Sequence, residues 1–544
     1  MVDELSLVAL SLSHCLALQV VKEAKLARGS APLAMFLLAL SILFSHLSPS
    51  PRSLLPLALA GLTTLCVNGS QSNHVVLEAV VALAVVLTAP GPSCSPLRLR
   101  KACGSEENLS REKEEQRSEW SSRLTIAMRA ILCVLYGMTG FAKLNDAWHD
   151  PRHSCCVHMF VAFVANLFDV YLPPSLLRFL PYAATAFELG FAMTLLLLPA
   201  LPSRWRRRIL RTLAILGAGF HVTIALPPPP ASVYPFSMLM VPIYVIGLLP
   251  DEMRWAARSV SQWDRRACCL LAAVLSSATA ICMGLSRRST HFEYPAYFSW
   301  ELGLLWLVCA FGGIVAVALL APPELQSLSA ASASHSKPRL MLALAPAALI
   351  FAICSATYLG LRTYPSFAMF SNLLIEGGAS NHWIVRHPVQ WAALTPSEYS
   401  PHHAIQILET DLASLRDLQI NLAPLLPPHV LRAFRFANVS AEFYITPPAW
   451  KYPATETFRP FSVPVVEVRR RLSEAARSGQ DVYVRYAYMN VSRAIESKNV
   501  YEYVRRGGLL LPGSDVSLEK PIPMLRDLLH RYRTFDLSYS PCRH

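Results

Sequence analysis

The sequence predicts a mainly α membrane protein, a polytopic helical bundle of about eleven spans followed by a C-terminal lumenal α+β domain, and three observations carry that prediction. The 544 residues are 53% hydrophobic and only 16% charged, with a mean hydropathy of +0.36, which is too evenly apolar for a soluble enzyme. Apolar windows near the length of a bilayer crossing recur along the first two thirds of the chain. Beyond residue 363 charge rises and short alternating runs replace them.

Taken in order, the windows lie at residues 5–21, 32–47, 54–67, 74–90, 124–143, 178–200, 207–225, 233–250, 267–286, 298–321 and 340–361. Acidic Asp3 and Glu4 precede the first, where a cleaved leader would be basic, so it reads as a span. Residues 91–122 mix both charge signs and read as a solvated linker. The domains expected are therefore N-terminal transmembrane hairpins at 1–90, the linker, a transmembrane core at 123–362 and the lumenal domain at 363–544. Many of the 41 prolines stand at segment ends, where a fixed φ and a missing N–H stop helices. Residues 153–177 are apolar, aromatic and short, and read as an interfacial or half-inserted helix.

Orientation follows from the basic residues of short loops. Arg204 with Arg206, Arg207 and Arg208, and then Arg254, Arg258, Arg265 and Arg266, face the cytosol on the positive-inside rule. Counting spans from there places the N-terminus and the linker in the cytosol and the tail in the lumen of a secretory membrane, most simply the endoplasmic reticulum. The sequons at Asn438 and Asn490 agree with that side. Lys22, Lys25, Arg28, Arg287 and Arg288 pull the other way.

In the tail, residues 481–488 alternate as a strand, and residues 465–478 and 524–535 carry the helical period. The formal charge of +13 is spread among short loops with no basic stripe interleaved with aromatics, so nucleic acid is not an expected partner; the bilayer is. The 13 cysteines lack zinc-type spacing, so no metal site is expected. Adjacent pairs such as Cys155 and Cys156 are poorly placed to bond each other, which leaves open a bridge to a distant partner such as Cys542.

Charge inside a span is costly and faces the protein interior or a cavity, which singles out Glu78, Arg129, Lys143, Glu188, His221 and Glu301. The bland readings are a snorkelling lysine, ion pairs that glue helices, and a histidine satisfied by packing. The sharper one starts from burial: removing an amine from water disfavours its charged form, so a neutral base becomes available near pH 7. Lys143 ends the fifth span and His221 nears the end of the seventh, on the same side by the span count.

Gly140-Phe-Ala-Lys-Leu-Asn-Asp-Ala-Trp148, Ala184-Thr-Ala-Phe-Glu188, Gly219-Phe-His-Val-Thr223 and Tyr234-Pro-Phe-Ser-Met238 follow one another in order and spacing. Together they resemble the transmembrane domain of vitamin K-dependent gamma-glutamyl carboxylases and the wider horizontally transferred transmembrane (HTTM) family. The resemblance implies that Lys143 is the base that deprotonates vitamin K hydroquinone and that His221 stands near the reacting oxygen. It implies a cofactor site drawing on Trp148, Glu188, Tyr234, Ser237 and Met238. The implied reaction couples oxygenation of the hydroquinone to removal of a glutamate γ-proton and addition of carbon dioxide, a carbon–carbon lyase chemistry. Vitamin K hydroquinone or a related quinone is then the cofactor, oxygen and carbon dioxide are co-substrates, and a Glu-containing protein or peptide is the substrate. Water exclusion matters for a base of that strength.

The resemblance is confined to residues 124–250 and the pattern departs from the family's in three ways. Asn145 stands where the family has Asp, with Asp146 one place on; one lysine precedes Leu144; and the tail is shorter than the region with which animal carboxylases grip a propeptide. A segment after the last span, ending in Glu376-Gly-Gly-Ala-Ser-Asn-His382, is a glycine turn that could close the pocket through Glu376, Asn381 and His382. Two alternatives stand beside the carboxylase: a family member that binds or oxidises a quinone or lipid without carboxylating, and a non-enzymatic transporter or membrane scaffold.

Overall fold

The structure is a computed structural model that describes residues 73–88, 106–227, 233–261, 295–322, 337–363, 366–368, 370–378, 380–387, 397–416, 420–421, 426–441, 443–445, 460–489, 499–523, 530–532, 534–535 and 542–543. The windows at 5–21, 32–47, 54–67 and 267–286 lie outside the described residues. The fold is predominantly helical with a small antiparallel sheet. Among the described residues four helical segments are long and apolar enough to cross a membrane: Ser118–Ala142, Pro174–Ala200, Ser203–Ala225 and Arg339–Tyr358. Phe236–Leu248 and Pro250–Ala256 would make a fifth, bent by 95°.

The chain divides into two compact units. The first takes residues 74–135 and 191–350 of the described range. Its helices are α1 (Asn73–Thr88), most of α2 (Glu106–Ala142), the end of α6 (Leu180–Leu197), α7 (Ser203–Ala225), α8 (Tyr234–Leu248), α9 (Pro250–Ser261), α10 (Pro295–Leu320) and the start of α11 (Lys337–Tyr358). Helix α2 begins well inside the stretch read as a linker, because residues 106–122 are rich in Glu, Arg, Lys and Gln, which lose little rotamer freedom in a helix. The α8–α9 bend falls at Pro250: a proline disfavours helical backbone in the residue before it, and Leu249 sits at φ −121°, ψ 39°.

Helices α7, α8 and α10 pack on one another. Arg129, one of the charges inside a span, donates from Nε to the carbonyl of Gly247 at 2.6 Å, so it ties α2 to α8. Arg211 and Glu252 form an ion pair at 2.7 Å, and the same guanidinium reaches the carbonyls of Ala321 and Pro322 past the end of α10. The side chain of Glu301 lies outside the described residues.

The second unit takes residues 136–190 and 351–544 together with Asn73. It holds the end of α2, α3 (Asp146–His149), α4 (Cys155–Phe168), α5 (Pro174–Leu177), the start of α6, the end of α11 and the whole tail. The tail carries β1 (Ala404–Thr410), α12 (Ala413–Arg416), β2 (Ile420–Asn421), α13 (Pro428–Phe436), β3 (Phe443–Ile445), β4 (Phe461–Pro464), α14 (Val465–Arg477), β5 (Val482–Tyr488), β6 (Val500–Arg506), β7 (Leu509–Leu510) and β8 (Cys542–Arg543). Five strands pair antiparallel in the order β4-β1-β5-β6-β7. Ile405, Ile407, Val463, Val482, Val484 and Tyr486 bury one side of that sheet with Val468, Leu472 and Ala475 of α14.

Alternation places β5 and the 3.6-residue period places α14 where the sequence predicts them. Residues 524–529 and 533 lie outside the described range, but residues 530–532 and 534–535 of the helix expected at 524–535 are non-helical and form isolated bridges instead. Arg531 bridges Arg362 and Phe535 bridges Ser462, so their backbone hydrogen bonds go to neighbouring segments. On α14, Glu467 is buried against Arg470 and Arg471. Burial raises its carboxyl, but Arg470, Arg471 and Arg531 outweigh that and hold it below the usual carboxylate range.

Helix α4, expected at the interface, packs its Val157, Val161 and Ala165 face against Val430, Ala433 and Phe434 of α13. Cys155 at its start is disulfide-bonded to Cys542 of β8, the distant partner that spacing left open.

Candidate functional site

Lys143 follows the last turn of α2, where the backbone leaves the helix and Asn145 caps α3 by accepting the Trp148 N–H at 2.8 Å. Its Nζ lies 2.5 Å from Oε2 of Glu188 on α6, and both side chains are buried. Gly140 permits this approach: a β-carbon there would stand 3.0 Å from Leu189 and 3.2 Å from Glu188 Cβ. The indole of Trp148 lies 5.1 Å from Nζ, and its own N–H is held by Thr185 Oγ1 at 2.9 Å and Pro181 O at 3.1 Å. Thr185 and Glu188 are three residues apart on α6, so one helix face supplies both the brace for the indole and the carboxylate for the amine. The amine is thus half of a buried ion pair rather than a lone base.

Residues 366–385 lock this turn from 226 positions further on. Asn145 Nδ2 donates to Ser371 O at 2.8 Å and to Ala142 O at 2.9 Å. Asn372 accepts the Cys155 N–H and donates to His153 O. Asn381 Nδ2 donates to Asn372 O, and its Oδ1 accepts the Leu374 N–H. His382 Nε2 bonds the carbonyl of Phe141 at 2.8 Å while Nδ1 accepts the N–H groups of Ile384 and Val385. Those partners fix the tautomer with hydrogen on Nε2. Burial holds the imidazole below its ordinary value, with the Phe141 carbonyl opposing. Phe367, Phe370 and Asn372 all adopt positive φ near 55°, 56° and 53°, a costly conformation for side-chain-bearing residues and one that accumulates at functional sites. Glu376 is fully buried, and Gly377 takes φ 73° in the glycine turn.

In the first unit, His221 of α7 is 1% exposed. Phe220, Phe236, Tyr244 and Phe311 lie around its ring with centroids 5.4–6.3 Å away, and Nδ1 is 3.2 Å from Ser237 Oγ on α8. Gly217, one turn earlier, lets Tyr244 press onto the helix: a β-carbon there would meet its hydroxyl at 2.6 Å. Met238 is buried and Tyr234 half-buried at the start of the same helix.

Lys143, Trp148 and Glu188 therefore meet one another in the second unit, and His221 and Ser237 meet in the first, with Tyr234 and Met238 on the same helix as Ser237. Sequence reading missed Thr185, whose spacing from Glu188 was the available signal, and Asn372 and Ser371, which no local pattern marks. It also missed Cys156, a reduced thiol within electrostatic reach of Lys143 and Glu188. Among the described residues no cluster of His, Cys, Asp or Glu could hold a metal ion.

No family model, no curated protein and no solved structure matches this chain.

Proposed function

We propose that the chain is a multi-pass membrane enzyme of the vitamin K-dependent gamma-carboxylase type, within the HTTM family, with about eleven spans and a lumenal tail. The observation that carries the reading is the buried Lys143–Glu188 pair beside Trp148, in the motif that the resemblance assigns to the base.

The residues fit a hydroquinone. Such a ring presents acidic hydroxyls and two apolar faces; the second unit offers a buried amine backed by a carboxylate and an indole face. When bound, that cofactor supplies a base strong enough to take a proton from the γ-carbon of a glutamate. Lys143 Nζ would hold a ring hydroxyl and take its proton, with Glu188 Oε2 placed to receive the ammonium proton, so the pair would act as a two-atom relay. Trp148 and Thr185 brace the amine's neighbourhood, and Ser371 and His382 are hydrogen-bonded to the turn. His221, oriented by Ser237, offers one polar atom in an otherwise aromatic wall.

Purified protein given reduced vitamin K, a Glu-containing peptide and labelled bicarbonate is expected to yield labelled peptide and quinone epoxide together. Epoxide without labelled peptide would instead support a quinone-oxidising member of the family, a reading favoured by Asn145 in place of the family's Asp. Neither product from folded protein would overturn both and leave a transporter or scaffold.

A further inference from the structure

Five large apolar side chains in the second unit are exposed where three segments meet. Phe168 at the end of α4, Val170 in the loop after it, Leu176 of α5, Phe179 beyond it and Phe436 at the end of α13 are exposed by 62, 48, 56, 59 and 57%. Their proximity is fixed from below by the buried cluster of Ala165, Leu177 and Phe434, and at the surface by Tyr171, whose ring lies 5.9 Å from that of Phe436. Leaving such side chains in water forgoes the gain of removing them from it, so a cover is called for.

Two observations select the cover. The patch is continuous with the segment Pro174–Ala200, itself apolar and long enough to span a bilayer, whose first turns expose Phe179 and Tyr182. Its edge is basic: Arg178 lies over the Phe179 ring at 4.7 Å, Arg432 reaches the Tyr171 hydroxyl at 3.4 Å, and Arg435 is exposed one turn along α13. Asp169, beside Arg432, is the carboxylate facing this edge. Apolar side chains below and guanidinium groups at the rim are what a leaflet bearing anionic headgroups requires.

We propose that this patch is a bilayer-docking platform, through which the end of α13 seats Phe436 beside Phe168 and Phe179 in one leaflet with Arg178, Arg432 and Arg435 at the phosphate level of anionic lipids. The tail is then held on the membrane by its own surface as well as by the chain entering it. The inference is independent of the quinone chemistry above.

Replacing Phe436 with the photoreactive p-benzoylphenylalanine in the full-length protein, and irradiating it in membranes containing phosphatidylserine and phosphatidylcholine, tests it site-specifically. The expected product is a phospholipid adduct at residue 436, enriched in phosphatidylserine, with none from the same probe at exposed Val516. Arg432→Gln with Arg435→Gln should abolish the enrichment while the adduct persists. A crosslink to a second protein chain, or no adduct at all, would overturn the platform. A lipid adduct without enrichment in the unmutated protein would overturn the headgroup assignment.

Discussion

The side-chain amide of Asn145 donates to the backbone carbonyl of Ser371, 226 residues away, at 2.8 Å, and to that of Ala142 at 2.9 Å. Asp caps a helix as well as Asn does, but it has no N–H to give. Asn145→Asp should therefore cost about 3–5 kcal/mol by setting a buried carboxylate against two carbonyls, and Asn145→Ala only about 1–3 kcal/mol. Thermal melting in detergent checks the order; an Asp variant as stable as the native protein would show that capping is all Asn145 does.

The close approach at Gly140 makes a second prediction. Gly140→Ala pushes a methyl into Leu189 and Glu188 and should destabilise by about 1–3 kcal/mol, whereas Gly190→Ala, with open space around it, should be neutral or stabilising by up to about 1 kcal/mol. Melting temperatures of the two variants compared with wild type decide it.

His382 ties the tail to the Lys143 turn by donating its Nε2–H to the Phe141 carbonyl, while Nδ1, which accepts the Ile384 and Val385 N–H groups, must stay unprotonated. Its folded value is lowered by burial, so its contribution is complete above the unfolded value near about 6.5 and fades as pH falls through that value toward the folded one. The protection of the Ile384 and Val385 amides, taken as their exchange relative to the intrinsic rate at the same pH, should fall between about pH 7 and pH 5, and a His382→Gln variant should lose that pH dependence. Protection that is constant or rises with acidification would contradict the assignment.

The Cys155–Cys542 bridge joins α4 to the last strand of the tail. Cys542→Ser should cost about 2–5 kcal/mol, read as a fall in melting temperature that reducing agent reproduces in the wild type and not in the variant. An equal fall on reducing both proteins would place the sensitivity elsewhere.

The elements legible in the sequence are those whose burial is local. Alternation in Val482–Tyr488 and the helical period of Val465–Arg477 each report one buried face, and both survive in the structure. Lys143, Trp148 and Glu188 were each marked, by motif or by charge within a span, but the pairing of Lys143 with Glu188 was not expected, because it joins residues 45 positions apart in sequence. Residues 530–535 were misread, since their partners, Arg362 and Ser462, are remote in sequence and outweigh the helical pattern. The Ser371, Asn381 and His382 contacts with the Lys143 turn span more than two hundred residues, and no single-chain periodicity encodes them.

The central claim is that Lys143, drawing on Glu188, is the proton acceptor for a reduced quinone. Removing one partner leaves the other charge buried and unpaired, so the informative variant is Lys143→Met with Glu188→Leu, which removes both and should preserve folding. Epoxide formation from vitamin K hydroquinone, measured on wild type and on this variant at matched thermal stability, is the most direct test. The account predicts product from the wild type and a loss of about 10²-fold or more in the variant. A variant that turns over at the wild-type rate would contradict it.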